Sequence, residues 1–444
     1  MIGTRKLIAA AVASGLVLAA CGGDDDDAGS STEPQTSAEP AATEPAATDP
    51  AATEPAGTEP TGTEPAGTEP GTEPSGDPIV IGAVMPETGD FGFIGSEAII
   101  GIEAAVRDLN ASGGILGRPV ELVNRDSGSD ANQGILAVRE IIDNSHPVFM
   151  LPDTISSIAQ GTQPLTTEAK IPTSSAASAP DLGNAETFPY HFQAFVDITK
   201  QAEAVYAGLR LKGAEKVGVI TSDDAAGVAV GDAAEADLPA FGFEVVGRER
   251  FSPGTTDLTV QVQRLQSAGA DALFVHALGQ DNGTIMQAML DIGWDAVAIA
   301  DASSLSGDLA NIIPADAHDQ FFTLTARAML QGPGSEALHD MFSSIGEVNS
   351  LQVPAINYDI VMLAAWAIEQ AGSTDPDAIK AAFESLEGTS DADLPELVYF
   401  PNPGWSPTVH SLNNADFTDF WGLVHVAPPV NGAYEGEPLT LIEP

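Results

Sequence analysis

Apolar positions along this chain fall into two alternating series. Ile79-Val80-Ile81-Gly82-Ala83-Val84 contains no polar residue and reads as a strand buried on both faces. Ala98, Ile99, Ile102, Ala105, Val106 and Leu109 then recur at helical spacing, which predicts a helix over 96–110 ended by Gly113-Gly114. The alternation continues with strand 119–124, helix 131–143, strand 147–151, helix 157–170 and strand 171–174. It restarts with helix 200–211, strand 216–221, helix 228–240, strand 243–248, helix 258–267, strand 271–275, helix 283–292 and strand 296–300. Two further helices are expected at 358–371 and 376–386, and a last strand at 422–426. Strands alternating with helices predict an α/β fold with parallel sheets, in two successive lobes.

Composition changes the picture at the N-terminus. Arg5 and Lys6 precede an apolar stretch, 7–18, too short for a comfortable membrane span. It runs into Leu18-Ala19-Ala20-Cys21, which looks like a bacterial lipobox. On that reading residues 1–20 are a signal peptide and Cys21, the chain's one cysteine, is lipidated. The mature protein then has no disulfide and no thiolate nucleophile. Residues 21–77 hold Asp24-Asp25-Asp26-Asp27 and a near-repeat of Thr-Glu-Pro. Nothing there can be buried, and repeated proline with like charge favours extended polyproline II of roughly 170 Å contour. Placed after a lipid anchor, the segment reads as a spacer lifting a domain off the membrane on the extracytoplasmic face.

The chain carries 64 acidic and 16 basic side chains, for a formal charge of −48. That excess argues against nucleic acid or an anionic membrane surface as partner. Nucleotide binding is excluded on other grounds. Gly89, Gly92 and Gly95 follow the first strand as G-x-x-G-x-x-G, not G-x-G-x-x-G, although Asp126 stands where a ribose-binding acid could. No G-x-x-x-x-G-K-[ST] occurs. Phe91, Phe93 and Ile94 interrupt these glycines at the carboxyl end of a strand, where open α/β sheets collect ligands. They are candidates for a pocket wall; the plainer reading is that they plug the lobe's own core.

The stretch 79–181 resembles the type I periplasmic solute-binding proteins of the leucine/isoleucine/valine class. The resemblance rests on I-V-I-G-A-V-M-P-E-T-G-D-F, on G-I-E-A-A-V-R-D-L-N-A-S-G-G-I-L-G-R-P-V-E-L, on Ser156-Ser157, on E-A-K-I-P and on S-S-A-A-S-A-P-D-L. It continues more weakly through K-V-G-V-I-T-S-D, A-G-A-D-A-L-F-V and Y-D-I-V-M-L-A-A-W-A-I, and fades after residue 371. It implies two Rossmann-like lobes joined by a three-segment hinge with a ligand cleft between them. Lobe 1 would be 78–196 and 326–421, lobe 2 would be 197–325 and 422–444, with crossings near Val196, Thr325 and Gly422. The family holds an amino acid on a serine at a helix start and on an A-x-[ST] segment at a strand end. Here the matching residues are Ser156 or Ser157, and Ala176, Ala177 and Ser178. A helix N-terminus suits a carboxylate, and Ser156 is equally well placed as a plain cap. The family's first-loop aromatic falls near Ile94, so Phe91 or Phe93 would replace it. In lobe 2 the sequence departs from the pattern: Ala226 stands where an aromatic precedes a glycine, and Leu278-Gly279-Gln280 stands near a second. Asp301 and Asp223 are the candidate partners for a ligand ammonium.

Enzyme chemistry finds no support. No histidine lies two to five residues from another, and H-E-x-x-H and G-x-S-x-G are absent. His276, on an apolar strand run, reads as a core or cleft-edge residue. No cofactor or metal is expected. The expectation is therefore a monomeric, lipid-anchored substrate-binding protein of an ABC importer. It would deliver a small polar solute, an amino acid of branched-chain type or a related amide or carboxylate, to a membrane permease. A sensor of the same fold signalling to a membrane partner is the alternative, and an extracytoplasmic hydrolase a third reading. Replacing the lipobox cysteine, Cys21→Ser, is expected to move the protein from the membrane to the soluble fraction; a variant that stays with the membrane contradicts the anchor.

Overall fold

The computed structural model describes residues 74–412, 417 and 420–444. The signal peptide, Cys21 and nearly all of the Thr-Glu-Pro segment lie outside the described residues.

The first half-series builds β1 (Ile79–Met85), α1 (Gly92–Ala111), β2 (Val120–Asp126), α2 (Ala131–Ser145), β3 (Phe149–Pro152), α3 (Ser156–Glu168), β4 (Thr173–Ser175) and β5 (His191–Gln193). Its five strands form one parallel sheet in the order β2-β1-β3-β4-β5. The second builds α4 (Ile198–Leu211), β6 (Lys216–Ser222), α5 (Ala225–Asp237), β7 (Glu244–Phe251), α6 (Thr259–Ser267), β8 (Ala272–His276), α7 (Gln280–Asp291), β9 (Val297–Ala300), α8 (Leu309–Ile312) and β10 (Phe321–Ala326). The chain then returns with α9 (Pro333–Ser343), α10 (Gln352–Ala371) and α11 (Pro376–Phe383), and ends in β11 (Trp421–His425) and β12 (Gly436–Pro438). The second sheet runs β12-β11-β10-β9-β8-β6-β7; β11 and β12 enter it antiparallel. Helices α9 and α10 pack on α1, so the chain passes between lobes three times: after β5, after β10 and before β11.

Side-chain caps set several helix starts. The carboxylates of Asp130, Asp224 and Asp375 accept the backbone N–H groups of Gln133, Gly227 and Ala378 at 2.9 Å each. Helix α1 begins at Gly92, four residues before the apolar period suggests, and this accounts for the glycines. A Cβ on Gly95 would sit 2.3 Å from the Pro86 carbonyl oxygen, so the glycine lets the first helical turn lie on the loop behind it. Helix α10 likewise starts six residues earlier than its pattern predicts, with Pro354 tolerated in its first turn. The three-residue strands β5 and β12 are too short to show a period, and β10, nearly all of it buried, has no polar face to alternate with. The aromatic C-terminal region is core. Trp405 and Phe383 pack against Phe192 at ring-centroid distances of 5.3 and 4.7 Å, closing the β5 edge. The buried Asp359 carboxylate holds the loop that follows through the N–H groups of Val398, Tyr399 and Phe400.

Helices α1 and α10 meet at Gly101, where a Cβ would fall 2.0 Å from the Pro354 carbonyl oxygen. Glycine to alanine inside a helix ordinarily stabilises by about 0.5–1 kcal/mol, but a backbone clash of this kind costs about 1–3 kcal/mol. Gly101→Ala is therefore expected to destabilise by about 1–2 kcal/mol in urea unfolding; a neutral or stabilising outcome contradicts the close helix contact.

Candidate functional site

The site begins with a strained turn. After β3 the chain reverses at Asp153, whose φ of 91° is unusual for a residue with a side chain. Its buried carboxylate accepts the Ser127 hydroxyl at 2.7 Å and the Ile155 N–H at 2.8 Å, which fixes the entry into α3. No side chain caps that helix. Instead Ser156 Oγ accepts the N–H groups of Ser178 and Ala179, at 3.2 and 3.1 Å, tying the helix start to the segment after β4. The Ser178 carbonyl in turn accepts the Ile198 N–H at 2.9 Å, so this segment is anchored at the hinge.

Lobe 2 meets it with three strand ends. Asp224, after β6, accepts the Ser222 hydroxyl and the Gly227 N–H at 2.8 and 2.9 Å. His276 ends β8, and its Nδ1 lies 2.6 Å from Asp301 Oδ2 at the end of β9. From α10, Gln352 binds the loop after β9: its Nε2 donates to the carbonyls of Ala302 (2.6 Å) and Leu305 (3.2 Å). Its Oε1 accepts the hydroxyls of Thr325 and Tyr399 at 3.1 and 3.2 Å.

Between the lobes lies a cavity of about 70 Å³. Ile94, Ile155, Phe195, Leu278, Leu305, Val353 and Ile356 make most of it apolar. Among the described residues that line it, four side-chain atoms are almost wholly buried without a hydrogen-bond partner: Thr154 Oγ1, His276 Nε2, Ser303 Oγ and Ser306 Oγ. Such groups cost about 1–3 kcal/mol each unless something satisfies them. Burial pulls the His276 pKa down, but the charge and hydrogen bond of Asp301, with Asp224 farther off, push it up to about 9.

Of the residues singled out from sequence, Ile94, Ser156, Ala176, Ser178 and Ala226 line this cavity. Asp301 stands one layer behind it, through His276. Ala177 is buried against Ala159, Ala179 and Leu182. Ser157 is exposed on the far side of its helix turn. Phe91 is half-buried, with its N–H donating to Ser129 Oγ at 3.0 Å. Phe93 lies on lobe 2 outside the cavity, where Cβ atoms on Gly279 and Gly307 would fall 2.3 and 2.7 Å from its ring. Gln280 is exposed beside it in a surface groove. Asp223 is exposed and accepts the Ser252 hydroxyl at 2.7 Å. Thr154, Asp224, Ser303, Ser306 and Gln352 carry no mark in the sequence analysis, and His276 is marked there only as a core or cleft-edge residue. A signal existed for His276: it is the polar last residue of an otherwise apolar strand, at the edge where ligands collect. None existed for Gln352, which reaches the cavity only because α10 begins early.

Two lobes closing on a small, mostly apolar cavity with polar atoms left over define a solute-binding fold. Residues 78–414 match the model of the periplasmic binding protein family, and the chain belongs to it. The type I fold with its two lobes and hinge, expected from the motifs, is the one observed. Among curated relatives, a Leu/Ile/Val-binding protein homolog 3 from Brucella melitensis is 26% identical over 305 residues, 68% of this chain and 82% of its own. Among solved structures, the branched-chain amino acid transporter substrate-binding protein LivJ from Streptococcus pneumoniae, in complex with isoleucine, aligns with a TM-score of 0.66 and 20% identity. That alignment covers 82% of this chain and 100% of the other. A solute-binding protein of an ABC transporter from R. palustris, in complex with 4-hydroxybenzoate, aligns with a TM-score of 0.67 and 21% identity over 83% and 97%. Members of this family bind solutes rather than transform them, and membership implies an extracytoplasmic location. No helix among the described residues is long and apolar enough to cross a membrane.

The seam between the lobes is itself titratable. Glu97 of α1 accepts the N–H groups of Gly307 (3.1 Å) and Ser350 (3.0 Å), and burial raises its pKa from 4.5 to about 7. A raised carboxyl pKa means the folded protein holds this proton more tightly than the unfolded chain. Its contribution to stability is full below about 4.5 and is lost as pH rises through about 7. Burial raises Asp153 and Asp359 to about 7 as well, and the raised His276 acts with the same sign up to about 9. The melting temperature is expected to fall between about pH 6 and about pH 8, and less steeply in Glu97→Gln; a flat or rising profile contradicts this assignment.

Proposed function

We propose that this chain is the substrate-binding component of an ABC importer, anchored through Cys21 and held off the membrane by its acidic spacer. The lobes capture a small solute in the cavity described above and present it to a permease. The solute has a compact apolar body and a carboxylate or similar polar end. Branched-chain amino acids and their close chemical relatives are the class to test first, given the names of the curated relatives. The observation that carries this reading is the cavity itself. Its polar lining residues come from both lobes, Thr154, Ser156 and Ser178 on one side and Asp224, His276, Ser303 and Ser306 on the other. A ligand touching both sets makes its full contacts only when the lobes are together, so binding shifts the population toward the closed form. The closed form is what a permease would recognise.

A thermal-shift screen of amino acids, amides, urea and small carboxylates tests it. A solute at about 100 times its Kd stabilises by about 2.7 kcal/mol, which raises Tm by several degrees. Thr154→Val and Ser306→Ala should each weaken the binding of the best solute, by about 1 kcal/mol, while raising the unliganded Tm, since each removes a buried hydroxyl that has no partner. If no small solute moves Tm and only a protein partner does, the importer reading fails.

A further inference from the structure

Helix α1 opens with Gly92-Phe93-Ile94, and the last two face different surroundings. Ile94 lines the cavity. The Phe93 ring lies outside it, across the seam, against the backbone of lobe 2. A Cβ on Gly279 would fall 2.3 Å from ring atom Cζ and 2.5 Å from Cε1, and one on Gly307 would fall 2.7 Å from Cδ2 and 3.2 Å from Cγ. Any other residue at these two positions would have to push the ring away. Both glycines have positive φ, 48° and 63°. Each also adjoins a cavity residue in sequence, Gly279 following Leu278 and Gly307 following Ser306, just as Phe93 precedes Ile94. The contact therefore sits at the rim of the cavity.

One turn along α1, Glu97 stands on the same helix face as Phe93. Its carboxylate accepts the Gly307 N–H at 3.1 Å, so lobe 1 touches Gly307 twice, once with an apolar ring and once with a buried acceptor. Just outside, a surface groove is lined by Phe93, Asp90 and Glu347 of lobe 1 and by Gly307 and Asp308 of lobe 2. The carboxylates of Asp90, Glu347 and Asp308 repel one another across that groove, so charge there opposes closure. Apolar contact has to supply the attraction. A half-buried phenyl ring set against two glycine backbones does so, and only while the lobes are together. None of this contact passes through the solute.

We propose that Phe93 is a latch between the lobes: its ring, seated between Gly279 and Gly307, holds the cavity shut, and its departure from that seat sets how readily a bound solute escapes. The proposal rests on the solute-binding reading and adds to it a residue that controls affinity without touching the solute. A contact made only in the closed form raises the affinity of every solute that needs closure. The latch therefore acts alike on all of them, unlike a residue of the cavity wall, which favours one solute over another.

Amide hydrogen exchange of the full chain without solute reads the latch first. The Gly307 amide, bonded across the seam, should exchange about tenfold or more faster in Phe93→Ala. The Ser350 amide, which donates to the same Glu97 carboxylate from within lobe 1 at 3.0 Å, should change little. Calorimetric titration with L-leucine, L-isoleucine and L-valine reads it second. Phe93→Ala should weaken each by about tenfold, with factors that agree within about twofold. Gly307→Ala should weaken them as well, but by less than about threefold in a Phe93→Ala background, where the ring it would strike is gone. That coupling survives any general cost of folding that either variant carries. Unchanged exchange at Gly307, losses that differ among the solutes, or equal losses for Gly307→Ala in both backgrounds overturn the latch and leave solute binding standing. If none of the three amino acids binds, exchange at Gly307 decides the latch and the wider solute screen decides the solute-binding reading.

Discussion

Polar atoms taken out of water must find partners, and at the junction of these two lobes four of them do not. Most of the architecture serves to create that shortfall in one small space. The parallel strands of the two sheets turn their carboxyl edges toward each other. Those edges and the loops after them bring Thr154, Ser156 and Ser178 from one lobe and Asp224, His276, Ser303 and Ser306 from the other to a wall that is otherwise mostly apolar. A cavity of this composition discriminates by what it leaves unsatisfied. A solute that supplies the missing partners gains the hydrogen bonds and the apolar contact together, and one that cannot is penalised by the same desolvated groups.

The residues around the cavity are held by a satisfied polar layer, of which Ser156 and Gln352 also reach the wall. Asp153 accepts both a hydroxyl and a backbone N–H to force the turn into α3. Ser156 Oγ accepts two N–H groups from the opposite segment. Gln352 uses both ends of its amide to hold the loop that carries Ser303 and Ser306. Asp301 fixes the orientation and proton of His276. Each of these groups is buried, and each has its hydrogen bonds made, so the layer is rigid where the cavity wall is incomplete. Glu97 does related work at the seam, binding N–H groups that come together only when the lobes do.

The repeating α/β pattern was legible because its strands are buried on both faces and its helices are amphipathic, so composition alone separates them. The lobe 1 half of the site was legible too. Ser156, Ala176 and Ser178 stand at a helix start and a strand end, positions that sequence marks directly. Lobe 2 was harder to read because its chemistry had moved. Where the resemblance leads one to expect large rings, this chain has Ala226 and Leu278, and the buried polar atoms without partners belong to His276 and the serines that follow Asp301. Asp301 itself was noticed for its position, yet its role is indirect, since its oxygens are taken by a ring and a backbone N–H. Phe93 was noticed for its place among glycines, and those glycines turned out to belong to the helix start. The glycines that matter to Phe93 are Gly279 and Gly307, nearly two hundred residues away or more, which no local pattern connects to it.

If a small solute draws the two lobes together around itself, the distance between them reports it. Leu136 on α2 and Val260 on α6 are exposed, at 62% and 57%, and lie on different lobes. Spin labels placed there by Leu136→Cys and Val260→Cys, with Cys21 replaced by serine, report the separation by electron double resonance. The expected distance distribution is broad or longer without solute and becomes narrow and shorter at saturation. A distribution that stays the same while calorimetry shows the solute bound would contradict it.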